Sequence, residues 1–290
     1  MNDARIASYW NTDKNNAVRC GLCPHRCLVR EGASGICGIR ENREGVLLAA
    51  SYGMISSIAL DPIEKKPLYM FHPGKSVLSI GSFGCNLRCG FCQNYEISAE
   101  YGDILRSARL MSPDDVVALA VETAKGGNIG VAYTYNEPLI GYEFLHDCAV
   151  LAHGAGLCNV LVTNGCINKE PLEDLLPLVD AMNIDLKGFR DDFYTKLGGS
   201  LETVKGTIAM SAGRCHVEVT TLVVPGENEG DVEELAKWLS SVSPDIPLHL
   251  TRFFPRYHYS GKAPTPRETI IKLCGVAEKY LRNVFSGNMG

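Results

Sequence analysis

From residue 77 onward the chain alternates short β-branched apolar runs with helix-length amphipathic ones, and that alternation limits the fold more than any other feature. Residues 77–82, 129–135, 160–163, 181–186, 216–224 and 248–254 read as strands. Between and after them, residues 112–125, 142–155, 169–176, 202–212, 229–242 and 267–281 read as helices. The boundaries have local causes. Ser112 supplies an N-cap, Pro113 suits the first helical position, and Asp115 completes a capping-box variant. Gly126-Gly127 and Gly156 act as stops. In the segment 229–242, Val232, Leu235, Ala236 and Leu239 recur at three and four. Strands joined by helix-length crossovers favour a parallel sheet, whose ligands meet the loops at the carboxyl ends of the strands. The pattern gives about six βα units.

The loop after the first strand carries Cys85, Cys89 and Cys92 in the run Gly84-Cys85-Asn86-Leu87-Arg88-Cys89-Gly90-Phe91-Cys92-Gln93-Asn94. A cubane [4Fe-4S] cluster takes four ligands, usually thiolates. A C-x3-C-x2-C triplet with no fourth cysteine nearby leaves one iron open to something the chain does not supply. Structural zinc sites are closed by four ligands, so a zinc knuckle is the weaker reading. Other strand ends carry polar or turn chemistry: Asn136-Glu137-Pro138, Asn164-Gly165, Asp185 and Lys187, Pro225-Gly226, and Arg252. Each alone reads as a capped turn. Their recurrence at corresponding positions reads as one mouth.

Composition narrows the class. At 290 residues, 46% hydrophobic and 21% charged, the chain has room for one large domain and a small one. Residues 1–16 are polar, and no segment reaches the roughly 18 apolar residues of a membrane span, so a cytoplasmic protein without a membrane partner is expected. Twelve cysteines in such a chain point to metal or redox chemistry. A net charge of -5 argues against a nucleic-acid partner held by charge. No G-x-G-x-x-G or P-loop occurs.

The cysteine triplet resembles that of radical S-adenosylmethionine (SAM) enzymes. The resemblance implies that the amino and carboxylate groups of SAM fill the open cluster position. It also implies that an electron from the cluster splits the sulfonium, and that the resulting 5′-deoxyadenosyl radical abstracts a hydrogen atom. The cofactor does the difficult chemistry while the protein orients and isolates it. Residues 77–281 further resemble the activating enzymes of glycyl-radical proteins, especially pyruvate formate-lyase activase. Tyr135-Asn136-Glu137-Pro138 stands where those enzymes carry Gly-Gly-Glu-Pro, so Glu137 is carried over to the SAM amino group and the glycine contacts are not. Asp185-Leu186-Lys187 is similar to a family run that contacts SAM, an ammonium meeting its carboxylate and a carboxylate its amine. Phe91 resembles the aromatic residue packed on adenine, Asn164 is a further SAM candidate, and Val223-Val224-Pro225-Gly226 looks like a turn shaping the site. A family histidine near the sixth strand has three candidate counterparts, His249, Tyr257 and His258.

The first 76 residues hold Cys20, Cys23, Cys27 and Cys37, spaced C-x2-C-x3-C-x9-C. Four such cysteines can close one tetrahedral site. Zinc, an auxiliary iron-sulfur cluster and free thiols all remain open, with zinc first, and His25 reads as solvated or packed. Residues 61–74, with the four-cysteine block and Cys92-Gln93-Asn94, resemble the radical SAM member of the AmmeMemoRadiSam system over nearly the whole chain. There, Lys65 and Lys66 either place positive charge beside an anionic cluster or substrate, or form a solvated turn between Pro62 and Pro67.

The expectation is thus an α/β protein: a partial parallel (β/α)6 barrel of radical SAM type on residues 77–290, with an N-terminal cysteine-rich metal-binding cap and linker on residues 1–76. The resemblance implies an oxidoreductase that works anaerobically with a flavodoxin- or ferredoxin-like electron donor. Hydrogen abstraction from a protein glycine leads; modification of a small molecule, peptide or RNA is the alternative. No catalytic side chain is expected beyond cluster and SAM, except that Cys166 follows a strand end. Cys148, Cys158, Cys215 and Cys274 read as core thiols. A non-enzymatic iron-sulfur or zinc scaffold for electron transfer would explain the cysteines but not the polar strand ends.

Overall fold

The computed structural model describes residues 5–102 and 104–290. An eight-stranded sheet forms its centre. Seven strands run parallel and in chain order across it: Ser76–Gly81, Asn128–Tyr133, Cys158–Thr163, Ala181–Asp185, His216–Val223, Leu248–Arg252 and Val284–Gly287. The eighth, Ser57–Pro62, pairs antiparallel with Ser76–Gly81 at one edge. The edge strands Ser57–Pro62 and Val284–Gly287 do not pair with each other, so the barrel is partial and open among the described residues.

All six expected strands are present within two residues of their expected ends. Two strands of this sheet were not expected. Ser57–Pro62 ends on Pro62, which bounds one of the two readings of Lys65 and Lys66 as a solvated turn, yet a proline without an N–H is tolerated at a sheet edge. It lies before residue 76, so the sheet begins within the segment read as cap and linker. Val284–Gly287 is short and half-exposed, which leaves little apolar signal.

Helices Pro113–Ala124, Tyr142–Gly154, Lys169–Leu175, Leu201–Ser211, Val232–Val242 and Arg267–Ala277 return the chain between successive parallel strands. The start at Ser112 is as its sequence predicts: the Ser112 hydroxyl accepts from Asp115 N at 3.1 Å, and Asp115 accepts from Ser112 N at 2.8 Å. Val232, Leu235, Ala236 and Leu239 form the buried face of their helix, and a leucine wholly removed from water contributes about 2 kcal/mol. Covered on both faces, the central strands are near-continuous apolar runs; Val131, Ala132, Val160, Leu161, Ala181 and Met182 have no exposed surface.

Before the sheet, a three-stranded antiparallel sheet (Trp10–Thr12, Val18–Cys20, Leu28–Val29) and a hairpin (Arg40–Arg43 with Val46–Ala49) form the cap. The hairpin turns on Glu44 and Gly45, both at positive φ, as a two-residue turn between twisted strands requires. Arg40 is buried and bonds Glu143 of the second helix at 3.1 Å, while Ser8 N donates to the same carboxylate at 2.6 Å. Asn168 fastens the cap to the third helix by donating to Gly21 O at 2.6 Å and, from its backbone, to Leu22 O at 3.0 Å.

Candidate functional site

The loop after Ser76–Gly81 is shaped by its own backbone and by the next strands. Gly84 has φ +80°, and a Cβ there would lie 2.5 Å from Cys37 O, so only glycine fits. Asn136 holds the loop's start, accepting from Ser82 N at 2.9 Å and donating to Phe83 O at 2.9 Å. Further along, Asn86 donates to Cys166 O at 2.7 Å, and its own carbonyl pairs with His25 Nε2 at 2.8 Å. His25 is therefore a packed residue joining cap to loop.

Glu137 follows the strand Asn128–Tyr133 and is buried. Its carboxylate accepts from Thr163 Oγ1 at 2.6 Å, Asn164 N at 2.7 Å and Leu139 N at 3.0 Å. Burial raises its pKa to about 7, and these donors oppose the rise. Asn164 donates from Nδ2 to Asn86 Oδ1 at 2.9 Å and lies 3.6 Å from Cys85 Sγ. At the end of Ala181–Asp185, Lys187 Nζ bonds Asp185 at 2.6 Å. Burial would lower the Lys187 pKa, but Asp185 and the neighbouring thiols outweigh it and hold the ammonium charged. Lys187 is clamped from behind: its N–H donates to Tyr194 Oη at 3.0 Å, and its carbonyl accepts from Asn228 Nδ2 at 2.6 Å. Asn228 also accepts from Val224 N at 2.8 Å, which ties in the turn at Val223-Val224-Pro225-Gly226.

Cys85, Cys89, Cys92, Phe91, Glu137, Asn164, Asp185 and Lys187 line one cavity of about 390 Å³, within the ordinary range for small-molecule sites. Among the described residues, no three His, Cys, Asp or Glu side chains stand close enough to share one metal ion. A cubane has a different requirement, because each thiolate binds its own iron and the ligands stand apart around the cluster. Three thiols on one wall, with a carboxylate and an ammonium on others, fit that cluster and an amino-acid cofactor. Burial pushes all three thiols up; Lys187 opposes this at Cys89, which sits at about 11. Their protons must therefore leave as iron binds.

Other expected residues lie elsewhere. Cys166 is buried in the main core and is not among the residues lining this cavity; burial takes its thiol to about 11. Near the sixth strand, the cavity is lined by Thr251 instead of His249, Tyr257 or His258. His249 is buried against Glu218 at 2.6 Å, and Tyr257 stacks on Tyr95 and on His258. In the cap, Cys20 joins the main core, while Cys37 packs with Ile39, Phe83 and Ile140. Burial takes the Cys23 thiol to about 12 and raises Cys37 too. Cys23 and Cys37 each lie within electrostatic reach of Cys20. Sequence reading gave no role to Asn86 or Thr163, although both sit next to residues it singled out.

These features agree with what related proteins share. The sequence model of the Radical SAM superfamily matches residues 79–239, from the first parallel strand into the helix Val232–Val242. The chain belongs to the Radical SAM superfamily, whose chemistry uses a [4Fe-4S] cluster and SAM. It is 42% identical over 293 residues to "Uncharacterized protein MJ0808" of Methanocaldococcus jannaschii, covering 98% of this chain and 85% of that protein. It is 24% identical to the pyruvate formate-lyase 1-activating enzyme of Escherichia coli K12, covering 68% of this chain and 86% of the relative. Streptococcus suis SuiB bound to S-adenosylmethionine shares the fold, with a TM-score of 0.53 at 15% identity, over 70% of this chain and 48% of that one.

Proposed function

We propose that the protein is a radical SAM enzyme that holds its cluster on Cys85, Cys89 and Cys92 and abstracts hydrogen from a substrate, a protein glycine being the leading target. One observation carries the reading: the three thiols share a cavity with Glu137, Asn164, Asp185 and Lys187, which come from the ends of successive parallel strands. When bound, cluster and SAM supply a 5′-deoxyadenosyl radical. The chain's own work is to hold and shield them.

Lys187 meets a carboxylate and Asp185 an amine, each pre-positioned by its 2.6 Å bond to the other. Glu137, fixed by three donors, adds a second acceptor for the amine. Asn164 steadies Cys85. Phe91, parallel to Phe193 at 6.4 Å and edge-on to Tyr259 at 5.7 Å, gives the cofactor's adenine an apolar, water-excluding surface. Likeness to the pyruvate formate-lyase 1-activating enzyme favours a protein glycine, and the resemblance of residues 61–74, the four-cysteine block and Cys92-Gln93-Asn94 supports kinship with the AmmeMemoRadiSam radical SAM proteins. A flavodoxin- or ferredoxin-like protein would deliver the electron.

The test is reconstitution with iron and sulfide under argon, followed by dithionite and SAM. Release of 5′-deoxyadenosine, abolished by Cys85→Ala, Cys89→Ala or Cys92→Ala, supports the enzyme. An intact cluster indifferent to SAM returns the protein to an electron-transfer scaffold. Iron content on the same sample, about four per chain against about eight, separates one cubane from a second cluster on the cap cysteines.

A further inference from the structure

The connection between the two antiparallel strands, residues 63–75, turns into the barrel and is anchored there. Glu218 accepts from Tyr69 N at 3.0 Å and Met70 N at 2.8 Å, and Asn183 Nδ2 donates to Pro67 O at 2.8 Å. These anchors put Lys65, Lys66 and Pro67 on the wall of the cavity that holds the three cysteines. Asp61 accepts from Lys65 at 3.1 Å, from Lys66 at 2.8 Å and from the Tyr135 hydroxyl at 2.7 Å. The Lys66 ammonium also lies 4.5 Å from the centre of the Tyr135 ring.

Two ammonium groups against one carboxylate leave a net positive charge facing the cavity. Each ammonium carries three donors, more than Asp61 can take. Tyr135 is held in the left-handed region at φ +71°, a conformation costly for a tyrosine and characteristic of functional sites. Its ring lies over Gly81, where a Cβ would come within 2.9 Å. The backbone is thus arranged to bring the Tyr135 hydroxyl onto Asp61. The amino-acid end of SAM already has Asp185, Lys187 and Glu137, so this second charged group is left for a second molecule.

We propose that Lys65 and Lys66, positioned by Asp61 and Tyr135, recognise an anionic group, carboxylate or phosphate, on the substrate whose hydrogen is abstracted. The inference rests on the radical SAM reading of the cavity. Lys65 is the contacting residue, since its side chain is 68% exposed and that of Lys66 only 4%.

The test titrates the reconstituted, SAM-loaded protein calorimetrically with inorganic phosphate and, separately, with glutarate. At least one probe binds saturably, and the comparison of the two tells phosphate from carboxylate. Lys65→Met weakens that binding about tenfold or more, the loss expected for one charge-assisted contact, and Lys65→Arg restores part of it. Lys65 is exposed, so its replacement leaves folding intact, as a thermal melt verifies. No saturable binding of either probe, or equal binding by wild type and Lys65→Met, overturns the proposal. Parallel loss of SAM affinity in Lys65→Met also overturns it, because the lysines would then face SAM. Absence of 5′-deoxyadenosine from the wild type is a separate result that removes the radical SAM reading itself, while the anion titration stays readable.

Discussion

Asn164 Nδ2 donates to Asn86 Oδ1 at 2.9 Å, a buried side-chain bond between the end of the third parallel strand and the loop that carries the cysteines. Asn86 lies between Cys85 and Cys89, so the bond sets the loop against the strand that also anchors Glu137. A single pair of amides therefore couples the three-cysteine loop to the wall that carries Glu137. Both amides are otherwise satisfied: Asn86 donates to Cys166 O, and Asn164 accepts from Cys166 N at 2.8 Å.

Replacing Asn86 by alanine removes the donor to the buried Cys166 O and leaves Asn164 Nδ2 only its long contact to Cys85 Sγ at 3.6 Å. An unsatisfied buried group costs about 1–3 kcal/mol. Asn86→Ala should unfold at lower urea and take up less iron on anaerobic reconstitution. Wild-type iron content combined with wild-type stability would show that the amide pair does not position the loop.

Gly84→Ala is expected to be more damaging than its size suggests. The residue sits at φ +80°, where an L side chain is strained, and its Cβ would stand 2.5 Å from Cys37 O. The carbonyl belongs to the cap backbone and cannot swing away, so the loop must shift. Both stability and iron uptake should fall, with the melting temperature lower by several degrees. A variant that melts and loads iron like the wild type would mean the loop adapts at no cost.

The parallel strands and their helices were legible because period and caps agree, as at Ser112 and along Val232–Val242. That Cys85, Cys89 and Cys92 share one cavity was legible because all three sit on one short loop at a strand end. What escaped was long-range and polar. Glu218 accepts bonds from Tyr69 and Met70, almost 150 residues away, and nothing in the sequence near either partner announces the match. Asp61 has no individual role in the sequence pattern, whereas the fold brings it against Tyr135.

The Arg40–Glu143 ion pair, 3.1 Å long with both side chains at most 3% exposed, joins the cap to the barrel. Removing one partner from such a pair costs about 3–5 kcal/mol, because the other charge is left buried alone. Arg40→Met and Glu143→Leu should each destabilise strongly in urea. The double variant should recover much of the loss, since two apolar side chains need no counter-charge. If the double variant is as weak as the sum of the two singles, the pair contributes more than charge compensation.

Glu218 supplies a dependence on pH with a definite sign. It is wholly buried, and burial alone would raise its pKa. The bonds from His216 at 2.9 Å and His249 at 2.6 Å, with the Tyr69 and Met70 amides, outweigh that and hold the carboxylate at about 2, below its usual 4.5. A carboxyl with a lower pKa folded than unfolded binds its proton more readily in the unfolded chain. Its contribution is thus fully present above about pH 4.5 and is lost as pH falls towards 2. At about 1.4 kcal/mol per pH unit the contribution is on the order of 3 kcal/mol. In Glu218→Gln the charge is absent at every pH, so the urea stability gap between wild type and variant should be largest near pH 6 and shrink steadily below pH 4.5. A gap that stays constant from pH 6 to pH 3 would mean that Glu218 acts through shape and neutral hydrogen bonding, and that the two histidines do not stabilise its charge.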